Sequence, residues 1–106
     1  MHTSVRKYKV DPAQVEELMR RVDATFAPRI EGMPGFVAYE LLDCGYGIIL
    51  AITTCQDREA AERSVDLAAD FVERELEDLE VERVEATIGE VGVSRAVAEM
   101  LEPTRA

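Results

Sequence analysis

An α+β sandwich of order β-α-β-β-α-β is what this sequence predicts, and three observations predict it. An apolar strand, an aspartate and an amphipathic helix follow one another twice, with Val10-Asp11-Pro12-Ala13 opening the first helix and Thr54-Cys55-Gln56-Asp57 the second. A glycine turn, Gly45-Tyr46-Gly47, divides the two copies. The 106 residues suit a single domain, with a core over about residues 3–93 and a tail over 94–106. A β-α-β unit repeated in this way is the split-βαβ, ferredoxin-like arrangement.

Strand one is read as Thr3 to Val10. Asp11 is a good N-cap, and Pro12 suits the first helical position, where its missing N–H costs nothing. Val15, Leu18, Met19, Val22 and Phe26 then recur at helical spacing and form one apolar stripe. Pro28 is expected to kink or end that helix, leaving a short turn through Ile30, and Gly32-Met33-Pro34-Gly35 reads as a loop. Phe36 to Cys44 and Ile48 to Cys55 form a hairpin, with either Gly45-Tyr46 or Tyr46-Gly47 as a two-residue turn. Both choices put Val37, Tyr39 and Leu41 on one face with Ile48, Leu50 and Ile52, and that greasier set is expected under the helices. The other face then carries Phe36, Ala38, Glu40 and Leu42 with Ile49, Ala51, Thr53 and Cys55.

Asp57 caps the second helix, whose stripe runs Ala61, Ser64, Val65, Ala68, Phe71, Val72, Leu76 and Leu79. Its opposite face, dense in Arg and Glu, reads as solvated and laced with i,i+4 pairs. Strand four is expected over Arg83 to Val93, with Gly89 and Gly92 marking a bulge or a close backbone approach. In the tail, Val97 to Leu101 suggests a turn of helix. His2, next to the first methionine, is expected to be disordered.

One sheet with helices on one side leaves the other side bare. With 47% of residues apolar, a second copy of the chain is the simplest cover for it. A net charge of −10 argues against nucleic acid or an anionic membrane surface as partner. Neither a signal-peptide core nor an apolar run long enough to cross a bilayer is visible, so a cytoplasmic location is expected. Cys44 and Cys55 fall at opposite ends of the hairpin, roughly 25 Å apart at ~3.3 Å per residue, which forbids a bridge within one chain. The cysteine and histidine spacing supports no metal site.

Ser4-Val5-Arg6-Lys7-Tyr8-Lys9-Val10 running into Asp11-Pro12, Met33-Pro34-Gly35-Phe36-Val37 opening strand two, and Gln56-Asp57-Arg58-Glu59-Ala60 opening the second helix carry a resemblance. The chain resembles the antibiotic-biosynthesis-monooxygenase-like group of the dimeric α+β barrel superfamily. That resemblance implies a homodimer whose two sheets close a barrel, with a small pocket between helices and sheet in each subunit. Such proteins include cofactor-free oxygenases of polycyclic phenols, quinol oxygenases and haem-degrading enzymes. The Asn, Trp and His of haem-degrading members fall at Arg6, Ser64 and Arg74 here. The chain has no Asn and no Trp, and its one His is His2, so the haem-degrading set is absent.

The candidate ligand-binding residues are Arg6, Tyr8, Tyr39, Ser64 and Phe71; no catalytic residue, metal or cofactor is assigned. Arg6 and Tyr8 alternate onto one face of strand one. A covered guanidinium needs either a carboxylate or an anionic ligand. Two readings of Arg6 follow: an ion pair with one of the fifteen glutamates, or an anchor for a flat organic molecule oriented by Tyr8 and Tyr39. Small residues around Ser64 on the second helix either leave room for a ligand or allow close packing on the sheet. Cys55 reads as a small half-buried hydrophobe. The expected function is a small dimeric α+β barrel protein, non-catalytic or uncharacterised, that binds a small ligand, with a small aromatic molecule as the candidate. The alternative is a cofactor-independent monooxygenase acting on a phenol or quinol.

Overall fold

The computed structural model describes residues 1–96. Four antiparallel strands, β1 (His2–Lys9), β2 (Phe36–Asp43), β3 (Ile48–Cys55) and β4 (Glu82–Glu90), form one sheet in the order β2-β3-β1-β4. Helices α1 (Val15–Arg21), α2 (Ala27–Glu31) and α3 (Arg58–Glu75) cover one face. This is the ferredoxin-like α+β sandwich that the repeated strand–aspartate–helix pattern predicts. No helix among the described residues is long and apolar enough to cross a membrane.

Both aspartate caps form. Asp57 Oδ1 accepts from the Ala60 N–H at 2.8 Å and starts α3, while Asp11 Oδ1 accepts from the Ala13 N–H at 2.9 Å. Asp11 opens a short 3-10 turn, Pro12–Gln14, which leads into α1. Pro28 does not end the first helical segment. A π-helical turn over Val22–Phe26 intervenes and shifts the frame, so Pro28 falls in the first turn of α2, where its missing N–H is harmless. Val15, Leu18, Val22 and Phe26 are buried, as the apolar stripe requires.

The hairpin corrects the expected faces. Its loop has three residues, not two: Cys44 N–H donates to Ile48 O at 2.9 Å, and Gly45, Tyr46 and Gly47 all have positive φ (84°, 56° and 77°). One extra loop residue shifts the register by one, and each pairing changes face. Tyr39 therefore lies opposite Thr53, and Leu41 opposite Ala51. Ile49, Ala51, Thr53 and Cys55 are buried under the helices, whereas Ile48, Leu50 and Ile52 are only partly covered on the far face. A bulge at Val37 leaves that residue exposed and turns Phe36 toward the core, opposite Cys55.

Three other expectations shift. β4 ends at Glu90, short of Gly92, and its irregularity lies opposite Lys7 and Tyr8, not at either glycine. His2 is the first residue of β1, paired with Cys55 and Glu90. The helical turn expected over residues 97–101 lies outside the described residues. Cys44 is exposed and Cys55 buried, and both are free thiols.

Arg21 fastens α1 to the far end of α3. Its guanidinium reaches Asp78 Oδ1 and Oδ2 at 2.7 and 2.8 Å, Glu17 Oε2 at 3.1 Å and the Glu75 carbonyl at 3.2 Å. Hydrogen bonds from Arg20 and Arg21 hold the Glu17 carboxyl down at about 2, and Arg21 likewise holds Asp78 below its ordinary value. Both carboxylates bind protons more weakly folded than unfolded. Their contribution is full above the ordinary carboxylate range and is lost as pH falls toward about 2. Chemical denaturation across that range should show stability falling with acid, and the slope should flatten in Arg21→Ala.

Gly47 makes the register. Its carbonyl accepts from the Val10 N–H at 2.9 Å, and a Cβ there would lie 2.0 Å from Val10 O. Gly45 has open space around the same atom. Urea titration should therefore show Gly45→Ala costing about 1 kcal/mol, the left-handed penalty alone, and Gly47→Ala costing at least about twice that.

Candidate functional site

Alternation along β1 sends Ser4, Arg6 and Tyr8 toward the helices, and all three are buried. β1 is central, so Arg6 has a neighbour on each side: Ala51 on β3 and Ala86 on β4. Two alanines flanking a long side chain leave the guanidinium space over the sheet. Above it α3 presents Ala61, Ser64 and Ala68, all buried.

Arg6 is 0% exposed. Its Nη1 donates to Ser4 Oγ at 2.6 Å, its Nη2 to Thr53 Oγ1 at 3.2 Å and its Nε to the Tyr8 hydroxyl at 3.2 Å. Ser64 Oγ donates its one proton to the Ala61 carbonyl at 2.6 Å and stands 3.0 Å from Ser4 Oγ. Ser4 must then be the donor between the two serines. The result is a directed chain, Arg6 to Ser4 to Ser64 to a helix carbonyl, that fixes the guanidinium from behind.

Every one of those partners is neutral. Among the described residues no carboxylate lies within ion-pair distance of Arg6, although the surface arginines Arg20, Arg21, Arg29, Arg58 and Arg74 all have one. The ion-pair reading of Arg6 is therefore not what the fold contains. The guanidinium therefore places a full positive charge in the interior.

A cavity of about 30 Å³ adjoins this charge, lined by Arg6, Tyr8, Phe26, Tyr39 and Phe71 together with aliphatic side chains of both layers. Phe26 packs edge-on to Tyr39 at 5.5 Å between centroids and against Phe71 at 5.1 Å. Outside, Arg29 sits 5.7 Å from the centre of the Phe71 ring and pairs with Glu75, tying α2 to α3 across the cavity wall. Burial pushes the Tyr39 phenol well above its ordinary range, and the Arg6 charge opposes that rise only in part. Tyr39 stays a protonated hydroxyl, a donor and not a base.

Four of the five residues singled out from sequence, Arg6, Tyr8, Tyr39 and Phe71, share the cavity wall. Ser64 stands behind them, in the chain that holds Arg6. Cys55 is fully buried, and burial followed by the charge of Asp57 raises its thiol, which makes it inert. Arg74 is exposed and paired with Asp70, away from the cavity. Sequence reasoning missed Ser4 and Thr53. Ser4 was legible as the next residue on the Arg6 side of β1, whereas Thr53 was hidden by the hairpin register.

Removing one neutral partner should harm the fold more than removing the charge itself. Ser4→Ala leaves a charged N–H without an acceptor and should cost about 2–3 kcal/mol in denaturant titration. Arg6→Met removes the charge together with its desolvation and should cost less than Ser4→Ala.

No family model and no curated protein matches the sequence. Solved structures match its shape. HapK from Hahella chejuensis aligns with a TM-score of 0.69 at 20% identity, over 92% of this chain and 100% of its own. MhuD, a haem-degrader from Mycobacterium tuberculosis solved with two haems in its active site, aligns with a TM-score of 0.65 at 20% identity, over 91% of this chain and 100% of its own. A candidate antibiotic biosynthesis monooxygenase from Chloroflexus aurantiacus aligns with a TM-score of 0.65 at 14% identity, over 92% and 98% respectively. The chain shares with these solved proteins its ferredoxin-like α+β fold.

Proposed function

We propose that this chain is a small-ligand-binding protein that holds an aromatic molecule, through an ionisable oxygen on that molecule, between its helices and its sheet. The observation that carries the reading is Arg6: fully buried, fixed by neutral hydroxyls and unmatched by any carboxylate among the described residues. A fold that invests in an uncompensated buried cation is explained by a guest that supplies the missing negative charge. Tyr8 and Tyr39 would orient the guest's oxygen, Phe71 would face its ring, and Ser64 would act only through Ser4. The cavity of about 30 Å³ is the size of one water. An aromatic guest therefore requires the wall formed by Leu18, Val22 and Phe26 to move outward.

The same reading includes a homodimer formed through the sheet. Val5, Leu42, Ile48, Leu50 and Ile52 form a partly covered apolar surface on the face away from the helices. A second copy would bury that surface and close the barrel.

A cofactor-independent monooxygenase is the second reading, and the placement of Arg6 beside two phenols favours it. A guanidinium in a dry pocket stabilises a phenolate, whose electron-rich ring could react with dioxygen directly. Haem degradation finds no support in the residues, since Arg6, Ser64 and Arg74 stand where that chemistry uses Asn, Trp and His.

Thermal melts and oxygen uptake with anthrol- and quinol-type compounds separate these readings. Binding without catalysis should stabilise the protein by about 2–3 kcal/mol at a ligand concentration a hundredfold above Kd, with uptake equal for wild type and Arg6→Ala. Uptake above background that Arg6→Ala abolishes would establish the oxygenase instead. Neither stabilisation nor uptake would remove both, and light scattering on the same sample should give the mass of two chains.

A further inference from the structure

We propose that Lys7 and Glu40 fix how two copies of this chain dock, each Lys7 pairing with the partner's Glu40 across the contact between the sheets. The inference rests on the homodimer proposed above and adds to it the contact that sets its register. Strand pairing gives the pattern of the face turned away from the helices. One row across it reads Leu42, Leu50, Lys7 and Glu85, on β2, β3, β1 and β4 in turn. The next row reads Glu40, Ile52, Val5 and Thr87. An apolar centre therefore has a cation on one side and an anion diagonally across from it. Lys7 is half-buried and Glu40 exposed. Among the described residues neither joins an ion pair, although five arginines do. Lys7 stands in register with Glu85 and still makes no ion pair with it.

Symmetry then decides which charges meet. A two-fold axis that stacks two sheets face to face brings residue i onto j and j onto i. Lys7 and Glu40 stand about 10 Å apart across the strands and about 7 Å along them. An axis lying between the sheets and crossing the face between Leu50 and Ile52 exchanges those two positions, so both ion pairs form together. The same axis gathers Leu42, Leu50, Ile52 and Val5 of both copies into one apolar centre, with the ion pairs at its flanks. Pairing Lys7 with the partner's Glu85 requires an axis between β1 and β4, which leaves Leu42 outside the contact. An axis slipped along the strands covers Lys7 with apolar side chains and no opposite charge, which is costly. Aligned docking is thus favoured and slipped docking penalised.

Sedimentation equilibrium on charge-reversed variants tests this. Lys7→Glu and Glu40→Lys should each weaken the dimer by about thirtyfold or more, since each reversal puts two like-charged contacts into the interface. The two reversals combined in one chain should return it to within about threefold of wild type. Lys9→Glu makes the same change in net charge one row farther along β1, and should leave the dimer within about threefold. Lys7→Met and Glu40→Gln, which keep side-chain length and add no charge to the sheet, should each weaken it by about fivefold. A wild-type dimer that the reversals leave intact, or that the combined variant fails to restore, would overturn the pairing while the dimer stands. A wild type that sediments as a monomer would remove the dimer and the pairing together.

Discussion

One guanidinium in the middle of a sheet constrains much of what surrounds it. Arg6 stands on the central strand under α3, out of solvent and without a carboxylate among the described residues. Its neighbours on both adjoining strands are alanines, and the helix above offers alanines and a serine, since larger side chains would occupy the same space. Its acceptors are hydroxyls drawn from β1 and β3, so the pairing of those strands is also the geometry of the site. Interior polar networks tolerate little error, because one missing partner leaves a charged donor unsatisfied at low dielectric. The chain through Ser4 and Ser64 to the Ala61 carbonyl ends on a backbone acceptor, which leaves no dangling hydroxyl behind the arginine.

The two sides of the cavity wall are fastened differently. The sheet side is held by the β1–β3 and β1–β4 ladders. The helix side includes Leu18, Val22 and Phe26 from a segment interrupted by a π-helical turn. That wider turn satisfies Pro28 but replaces regular α-helical bonding directly over the cavity. Its fastenings are peripheral: Arg21 to Asp78 and Glu17, and Arg29 to Glu75 and the Phe71 ring. Exposed pairs of this kind are individually weak, so the helical wall is held less firmly than the sheet.

The solved structures that share this fold include a haem-degrader and a candidate monooxygenase. Shared architecture does not transfer chemistry, which resides in particular side chains. Here the side chain that the central strand sends under the helices is an arginine, and it makes the interior cationic.

Much of this was legible in the amino-acid order. Strand alternation placed Arg6 and Tyr8 on one side, helical spacing placed Phe71 and Ser64 above them, and aspartates marked both helix starts. These are local features, set by backbone periodicity and by hydrogen bonds between residues close in sequence. Tertiary structure decided the rest. Whether Gly45-Tyr46-Gly47 forms a two- or three-residue loop depends on the contact between Gly47 and Val10, 37 residues earlier in the chain. That contact shifts the register, brings Thr53 beside Tyr39 on the helix side, where Tyr39 was expected, and turns Leu50 away from it. The partner of Arg6 was equally undetermined, since fifteen glutamates were available in composition and none reaches it among the described residues. Periodicity tells which way a side chain points, but only the packed layers determine what meets it there.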